Sequence, residues 1–417
     1  MSFGHVTIAG AGMAGLSAAV ALAKAGVAVS LGDSAAQAGG RCRSYHDPQL
    51  GLTIDNGNHL VLSGNAAVER FRATVGAPAM TGPDHADFAF ADLASGERWT
   101  VAINDGRLPW WTASAKRRVP GTRLTDYLRL ARLMTGGPDR TVGDRIDPRG
   151  PLWERFLDPI LLAVLNTPSA TGSARLTGNV LRETVAKGGA AMRPRIAHPN
   201  LAAAFVEPAL GWLIERGTRV ATGRRLRALA FEGDRVAGLD WGDGVEPVAA
   251  DEAVILALPA WLATSLVPGL TAPTEHRAIV NGHFAFTPPP GTPAMIGLLG
   301  GTAEWVFAFP DRLSVTVSAA DHLVDRDRED LARAFWADIA AVHGIDVPMP
   351  RWQIVKEKRA TFAATPAQDA LRPPAHTRWR NLLLAGDWTQ TGLPATIEGA
   401  IRSGETAAGL ALAADTR

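Results

Sequence analysis

The chain has 417 residues, and its 42 basic and 41 acidic side chains leave a formal net charge of +1. This near balance excludes a strongly basic nucleic-acid binder, and apolar residues, at 47%, suffice for a large core. The single cysteine, Cys42, excludes an internal disulfide and a cysteine-rich zinc site, so we predict no metal and expect a reducing, cytoplasmic compartment. No uninterrupted apolar run reaches the about 20 residues of a membrane-spanning helix.

The chain opens with a strand–turn–helix–strand pattern. Residues 6–9 and 27–31 are short apolar runs that predict buried strands, and residues 16–25 predict a helix between them. The turn before this helix reads Gly-x-Gly-x-x-Gly, which lets a pyrophosphate approach the helix N-terminus, and an acid after the second strand suits a ribose hydroxyl. The predicted dinucleotide contacts are Gly10, Gly12, Met13, Ala14, Gly15 and Asp33.

The segments that follow indicate which dinucleotide cofactor the chain binds. Gly39-Gly40-Arg41 comes shortly after Asp33, and Ile-Asp-Asn-Gly follows at 54–57. The whole stretch 10–57 resembles the FAD-binding start of the amine oxidase, protoporphyrinogen oxidase and phytoene desaturase superfamily. The resemblance implies FAD as cofactor, with Gly40 and Arg41 at its diphosphate, where an arginine fork pairs well with phosphate. It also implies flavin contacts at Asn56, Gly57 and Asn58.

The end of the chain resembles the closing FAD motif of the same superfamily. Residues 381–385 predict a buried strand, Gly386 and Asp387 follow it, and a helix is predicted to run to about residue 413. The resemblance implies that Gly386 and Asp387 lie by the ribityl and diphosphate groups. It also implies that the start of the helix directs backbone N–H groups at the flavin N1–C2 edge, where they stabilise the negative charge of reduced flavin. These helix-start residues are Pro394, Ala395, Thr396 and Ile397. Glu398 is either functional or a helix-cap residue.

The fold class predicted from these blocks is α/β. It comprises a Rossmann-like FAD-binding domain with an inserted α+β substrate domain, similar to amine oxidases and protoporphyrinogen oxidases. A middle segment, 220–226, resembles the adenine-side strand of that superfamily, which implies that Leu226 lies near the adenine. The FAD-binding domain is accordingly discontinuous. Its predicted blocks are residues 1–103, 201–277 and 376–417, and those of the substrate domain are 104–200 and 278–375.

The substrate domain is predicted to have two parts. Residues 104–200 read as largely helical, and 278–320 hold short β-prone runs that suggest an antiparallel sheet before another helix. The pocket is expected where this domain meets the FAD domain. The predicted helices are 124–134, 153–165 with a break at Asp158-Pro159, and 326–343, and the predicted strands are 279–286, 294–299, 305–309 and 313–317.

One segment has the composition of a lipid-headgroup contact. Trp110 and Trp111 precede Lys116, Arg117 and Arg118, and further arginines follow as far as residue 132. The alternative is an ordinary amphipathic helix with a solvated basic face. We therefore expect a cytoplasmic protein that either stays in solution or lies peripherally on the inner face of the cytoplasmic membrane, with membrane-contact helices within residues 105–135.

Three short motifs indicate one family within this superfamily. Asn-Gly-x-His at 56–59, Leu-Asn-Thr-Pro at 165–168 and Gly-Leu-Pro-Ala-Thr-Ile-Glu at 392–398 are similar to the hydroxysqualene dehydroxylase family of squalene and hopanoid biosynthesis. The similarity covers nearly the whole chain and departs from the pattern at Asn58, where glutamine is expected, and Asp33, where glutamate is more usual. It implies FAD-dependent reductive dehydroxylation of hydroxysqualene to squalene, with hydride from N5 of the reduced flavin.

This reaction needs a group that protonates or orients the leaving hydroxyl. His59 is the first candidate, since it follows the flavin-contact glycine and histidine titrates near neutral pH, but a structural histidine is the alternative. Asn166 and Asp387 are weaker candidates. The C30 polyprenyl substrate calls for an apolar pocket. Four aromatic residues could line that pocket or belong to the core: Phe284, Phe286, Trp305 and Phe307.

Other functions remain open at this point. An oxidative carotenoid or polyprenoid desaturase fits the same fold, and so does a non-catalytic FAD-bound partner protein. An amine oxidase is disfavoured, because an aromatic cage for the amine would have only Tyr45 and Tyr127 as tyrosines. No second nucleotide motif is visible, so electrons are expected from NADPH or from a separate reductase, and no nucleic-acid partner is expected.

Overall fold

The computed structural model describes residues 3–413. Its strands, β1 to β19 in chain order, are His5–Ala9, Ala28–Gly32, Ser44–Asp47, Leu52–Asp55, Leu60–Leu62, Ala86–Asp92, Arg98–Ile103, Pro194–Ile196, Arg219–Ala221, Ala228–Glu232, Arg235–Asp240, Val245–Pro247, Glu252–Leu256, His276–Phe284, Met295–Leu299, Trp305–Phe309, Arg312–Val317, Trp352–Phe362 and Leu382–Leu384. Its α-helices, α1 to α11, are Met13–Lys24, Ala66–Val75, Leu124–Tyr127, Leu130–Leu133, Asp158–Leu165, Ala174–Glu183, Glu207–Ile214, Ala260–Leu266, Arg328–His343, Pro366–Ala370 and Ile397–Leu412.

A five-stranded parallel sheet forms the first layer, in the order β19-β13-β1-β2-β9. Ile8 on β1 pairs with Leu31 on β2 and with Ile255 on β13, so the central strands are apolar on both faces, as a parallel sheet between helices requires. Helices α1 and α11 pack tightly, since a Cβ on Gly404 would lie 2.2 Å from the Ala14 carbonyl oxygen. The sheet therefore joins strands from the start, middle and end of the chain, which confirms the predicted Rossmann-like class.

A seven-stranded sheet forms the second layer, in the order β18-β14-β17-β16-β15-β6-β7. The predicted antiparallel pattern holds except between β15 and β6, which run parallel. The predicted first FAD-binding block ends at residue 103. Strands β6 and β7 lie within that block, yet they extend the substrate-domain sheet. Local patterning identifies strands but does not say which sheet they join.

The predicted helix over 124–134 is also different in the structure, which has two single turns, α3 and α4. Leu124 and Leu128 are exposed there, so much of the apolar stripe has no core to pack against. Helices that short need tertiary packing to persist. The break predicted at Pro159 is absent, because a π-helical turn at Trp153–Leu157 leads directly into α5 and Pro159 occupies its first turn.

Candidate active site

The glycines of the first turn serve different purposes. Gly10 has φ +108°, and a Cβ there would lie 2.3 Å from the Ala257 carbonyl oxygen, while one on Gly15 would lie 1.8 Å from that of Gly10. These two glycines let strand and helix approach each other. Gly12 has no atom within 4 Å of its Cβ position, and as N-cap of α1 it leaves the first N–H groups without a side-chain cap. The helix N-terminus therefore faces open space, as an anion site requires.

A cavity of about 400 Å³ lies beside this turn and is lined by Asp33 and Leu226, the predicted ribose and adenine contacts. The two carboxylate oxygens of Asp33 accept hydrogen bonds from the N–H groups of Ala11 and Ala35, both at 2.7 Å. These bonds hold the carboxylate in one orientation, and each oxygen keeps a second lone pair. Strand β9 brings the segment of Leu226 to the edge of the parallel sheet.

Arg41 connects the two ends of the chain. Its Nη2 lies 2.7 Å from Oδ1 of Asp387, and its Nη1 donates to the Ala360 carbonyl at 2.5 Å. Gly40 packs next to Gly12, since a Cβ on Gly40 would lie 3.3 Å from the Cα of Gly12. Arg41 is thus beside the open helix N-terminus, although its contact with a diphosphate stays a prediction.

The loop at 56–58 touches the seven-stranded sheet. Asn56 Nδ2 donates to Glu357 at 3.2 Å, Asn58 Nδ2 donates to Thr316 at 3.0 Å, and a Cβ on Gly57 would lie 3.1 Å from Asn281 Nδ2. Oδ1 of Asn58 is buried and has no hydrogen-bond partner within the described residues. The predicted flavin-contact loop therefore lies at the junction of the two layers and leaves a polar atom unsatisfied.

His59 lies close to Arg41 at the end of this loop. Burial, and secondly the charge of Arg41, lower the pKa of His59 to about 4. The imidazole is therefore neutral near pH 7, which favours the predicted orienting role through an N–H group over proton donation by an imidazolium. Both roles stay predictions.

Asn166 makes hydrogen bonds that favour a structural role. It ends α5 with φ +46°, its Nδ2 donates to Thr361 at 2.9 Å, and its Oδ1 accepts from the N–H of Ala319 at 2.6 Å. The side chain thereby joins α5 to the seven-stranded sheet. Asp387, the other weak candidate, is buried and paired with Arg41, which favours positioning of that arginine.

The C-terminal motif is held by backbone constraints. Gly386 donates its N–H to Ser403 at 2.8 Å, and a Cβ there would lie 2.3 Å from Nε1 of Trp388. Thr396 is the N-cap of α11 and accepts the Gly399 N–H at 3.0 Å, so the helix begins at Ile397, directly after Pro394 and Ala395.

Glu398 is a structural residue. Its two oxygens accept the N–H groups of Ala67 and Val68 at the start of α2, at 3.0 and 2.9 Å, and Oε1 lies 2.7 Å from Arg402. This acid from α11 therefore caps a helix some 330 residues earlier in the chain.

One face of the seven-stranded sheet is divided into a polar and an apolar half. Asn281 on β14 pairs with Thr316 on β17, which pairs with Trp305 on β16, so these side chains share a face. On the polar side lie Asn281, His283, Ser314 and Thr316. On the apolar side lie Phe90, Met295, Trp305, Phe307 and Phe309.

The four aromatic residues predicted for the pocket are divided between the two faces of the seven-stranded sheet. Trp305 and Phe307 lie on this divided face, whereas Phe284 and Phe286 pack around Trp336 of α9, on the opposite side. Sequence reasoning missed Asn281. The signal that was available is an amide within an otherwise strongly β-prone run.

Two features fit a bound FAD. The open N-terminus of α1 and the cavity beside Asp33 both lie along the parallel sheet. The chain belongs to the flavin containing amine oxidoreductase family, whose profile matches residues 13–412. This family assignment confirms the FAD prediction.

Sequence relatives place the chain within a narrower group of that family. It is 53% identical over 98% of both chains to the hydroxysqualene dehydroxylase of Rhodopseudomonas palustris, and 48% identical over 99% of both to that of Zymomonas mobilis. These values make it a member of the hydroxysqualene dehydroxylases. Among solved structures, a putative protoporphyrinogen oxidase from Exiguobacterium sp. 255-15 aligns with TM-score 0.69 and 17% identity over 98% of both chains, which shows the shared fold.

Proposed function

We propose that the chain is an FAD-dependent hydroxysqualene dehydroxylase, which converts hydroxysqualene to squalene. The observation that carries this proposal is the 53% identity over 98% of the chain to a protein of that name. The divided sheet face supports it, because a C30 isoprenoid alcohol has one polar group on a long apolar chain. An amine oxidase would need several polar or aromatic contacts around a cation instead.

The atoms of one turnover balance with one hydride and one proton from the reduced cofactor. The carbon–oxygen bond breaks, the hydroxyl takes a proton and leaves as water, and a hydride forms the new carbon–hydrogen bond. Reduced FAD supplies that hydride and becomes oxidised. The chain's own contribution is to hold the cofactor at α1, Arg41 and the start of α11, and to exclude water with the apolar half of the sheet face. NADPH or a separate reductase remains the expected source of electrons.

An anaerobic turnover experiment tests the function. Protein loaded with FAD is reduced, hydroxysqualene is added, and squalene is measured by mass spectrometry. We expect one squalene for each flavin reoxidised. The same protein with oxidised flavin is the control and should form none. A flavin that stays reduced without any squalene would contradict the proposal and would favour an oxidative desaturase.

We also propose that the protein lies peripherally on an anionic membrane. A basic–apolar surface is formed by exposed side chains of the segment 107–129, with Trp110 71% and Leu128 70% exposed. The cations within it make no ion pair to any described residue, which suits anionic headgroups. Among residues 3–413, no helix has the length and apolar character needed to span a bilayer. The basic–apolar surface consists of Arg107, Leu108, Trp110, Lys116, Arg117, Arg123, Leu124, Leu128 and Arg129.

Vesicle sedimentation tests this surface. Wild-type protein should sediment with phosphatidylglycerol vesicles and much less with phosphatidylcholine vesicles, and added salt should release it. The double variant Trp110→Ser/Leu128→Ser should bind at least about tenfold more weakly, because two large apolar groups are lost. Ile214→Ser, also at an exposed apolar position but remote in sequence, is the matched control. Equal binding by the double variant would contradict the proposal.

A further inference from the structure

The half-buried Asn58 and the buried Thr316 and Asn281 form a hydrogen-bond chain between the flavin-contact loop and the seven-stranded sheet. Asn58 Nδ2 donates to Thr316 Oγ1 at 3.0 Å, and Thr316 Oγ1 donates to Asn281 Oδ1 at 2.8 Å. The backbone N–H of Asn58 also lies 3.4 Å from the same Asn281 oxygen. We call this chain of Asn58, Thr316 and Asn281 the amide relay.

The direction of the relay determines how both amides are oriented. Thr316 has one hydroxyl proton, which goes to Asn281, so Asn58 must donate to Thr316. Asn281 then keeps its Nδ2 donor, and Asn58 keeps its Oδ1 acceptor. Asn58 Oδ1 has no hydrogen-bond partner within residues 3–413, and the side-chain hydrogen bonds of Asn281 to described residues involve its Oδ1 and not its Nδ2. Buried amides normally satisfy such groups, so these two atoms call for an outside partner.

The chemical character of the missing partner follows from the two free atoms. A donor and an acceptor in one relay match a hydroxyl group, whose oxygen can accept a hydrogen bond while its one proton is donated. The relay also lies where the polar and apolar halves of the sheet face meet, since Thr316 pairs with Trp305. An alcohol on an apolar chain would place its hydroxyl at that boundary.

We propose that Asn281, held by the amide relay, is the substrate-binding residue that recognises the hydroxyl of the polyprenyl alcohol. Its Nδ2 donates to the hydroxyl oxygen, and Asn58 Oδ1 accepts the hydroxyl proton. This inference rests on the proposed function. The relay thereby distinguishes the alcohol from the hydrocarbon product, which offers neither group and leaves the two amides unsatisfied.

Binding measured without turnover tests the inference. Oxidised, FAD-loaded protein is titrated separately with hydroxysqualene and squalene in detergent micelles, and the flavin absorbance change gives the two Kd values. Wild-type protein should bind the alcohol about tenfold more tightly than the hydrocarbon, as one buried hydrogen-bonded group warrants. In Asn281→Leu this preference should fall to less than about twofold, with the Kd for squalene nearly unchanged.

Two further variants keep the result clear. Thr316→Val preserves shape, interrupts the relay and should reduce the preference by a smaller factor, which covers the case that Asn281→Leu fails to fold. Ser314 lies on the same face, but its hydroxyl bonds to His283 and not to the relay. Ser314→Ala should therefore keep the full preference. A purely structural role of Asn281 would weaken both ligands equally and leave their ratio unchanged.

The outcomes separate this inference from the function. If the variants keep the wild-type preference, or if wild-type protein binds both ligands equally, the relay is satisfied by water and the inference is wrong while the function stands. If wild-type protein binds neither ligand and forms no squalene under anaerobic reduction, the proposed function fails and the inference with it.

Discussion

Gly12 and Gly15 stand in the same turn but are required for different reasons. Gly15 allows the helix to pack against its own strand, because a side chain would meet the Gly10 carbonyl. Gly12 has ordinary backbone angles, with φ −75°, and open space in front of its Cα. The fold itself therefore does not exclude a side chain there.

We therefore predict that Gly12→Ala folds normally and binds FAD at least about tenfold more weakly, since its methyl group occupies space that a pyrophosphate would use. Thermal unfolding of the apoprotein and FAD titration by fluorescence measure the two effects. Gly211→Ala, in α7 and equally free of neighbours, is the control; it should leave FAD affinity unchanged and slightly raise the unfolding temperature, as alanine favours a helix. Normal FAD affinity in Gly12→Ala would mean that the diphosphate does not lie at this turn.

Helices α2 and α11 are joined by two acidic residues of α11 in different surroundings. Glu398 is buried, caps the N-terminus of α2 and pairs with Arg402, which also binds Glu183. Glu405 pairs with Arg70 of α2 near the surface. Charge-assisted bonds to buried N–H groups contribute far more to stability than a solvated ion pair.

Glu398→Ala should accordingly lower the free energy of unfolding by about 2 kcal/mol, because the helix loses its cap and buried donors lose their acceptor. Glu405→Ala should cost no more than about 0.5 kcal/mol. Urea unfolding of both variants provides the comparison. Equal losses would show that the cap contributes nothing beyond a surface pair.

At the scale of the whole molecule, buried titratable groups determine how stability depends on pH. Burial lowers the pKa of His283 to about 3 and of His343 to about 4, so these groups bind fewer protons folded than unfolded and favour folding as pH rises from about 4 to 6.5. Burial raises the pKa of Glu304 to about 7. The stability from Glu304 is complete below its unfolded pKa and is lost as pH rises through 7.

We predict that stability of the wild-type protein falls between pH 6 and pH 8 as Glu304 ionises, and that Glu304→Gln removes most of this fall. The glutamine can still accept the Ser318 N–H, which lies 2.7 Å from Glu304. Urea unfolding at both pH values tests this, with exposed Glu215→Gln as control. A variant that loses as much stability as wild type would contradict the assignment.

Local sequence determined the dinucleotide turn, α1, the first two strands and the start of α11, since glycine spacing and caps act within a few residues. Resemblance extended this to FAD and to the enzyme family, both confirmed by comparison. It left Glu398 open between a cap and a functional residue, because the helix that it caps lies elsewhere in the chain.

Only the tertiary structure decided which sheet receives β6 and β7, that Asn166 is bonded within the protein, and that Asn281 lies against Gly57. These outcomes depend on contacts between residues more than a hundred positions apart. The spacing of hydrophobic residues and the position of turn residues indicate only the structure formed by near neighbours along the chain. The partners that distant strands and loops acquire are set by packing of the complete core, where each buried polar group must find an acceptor or donor.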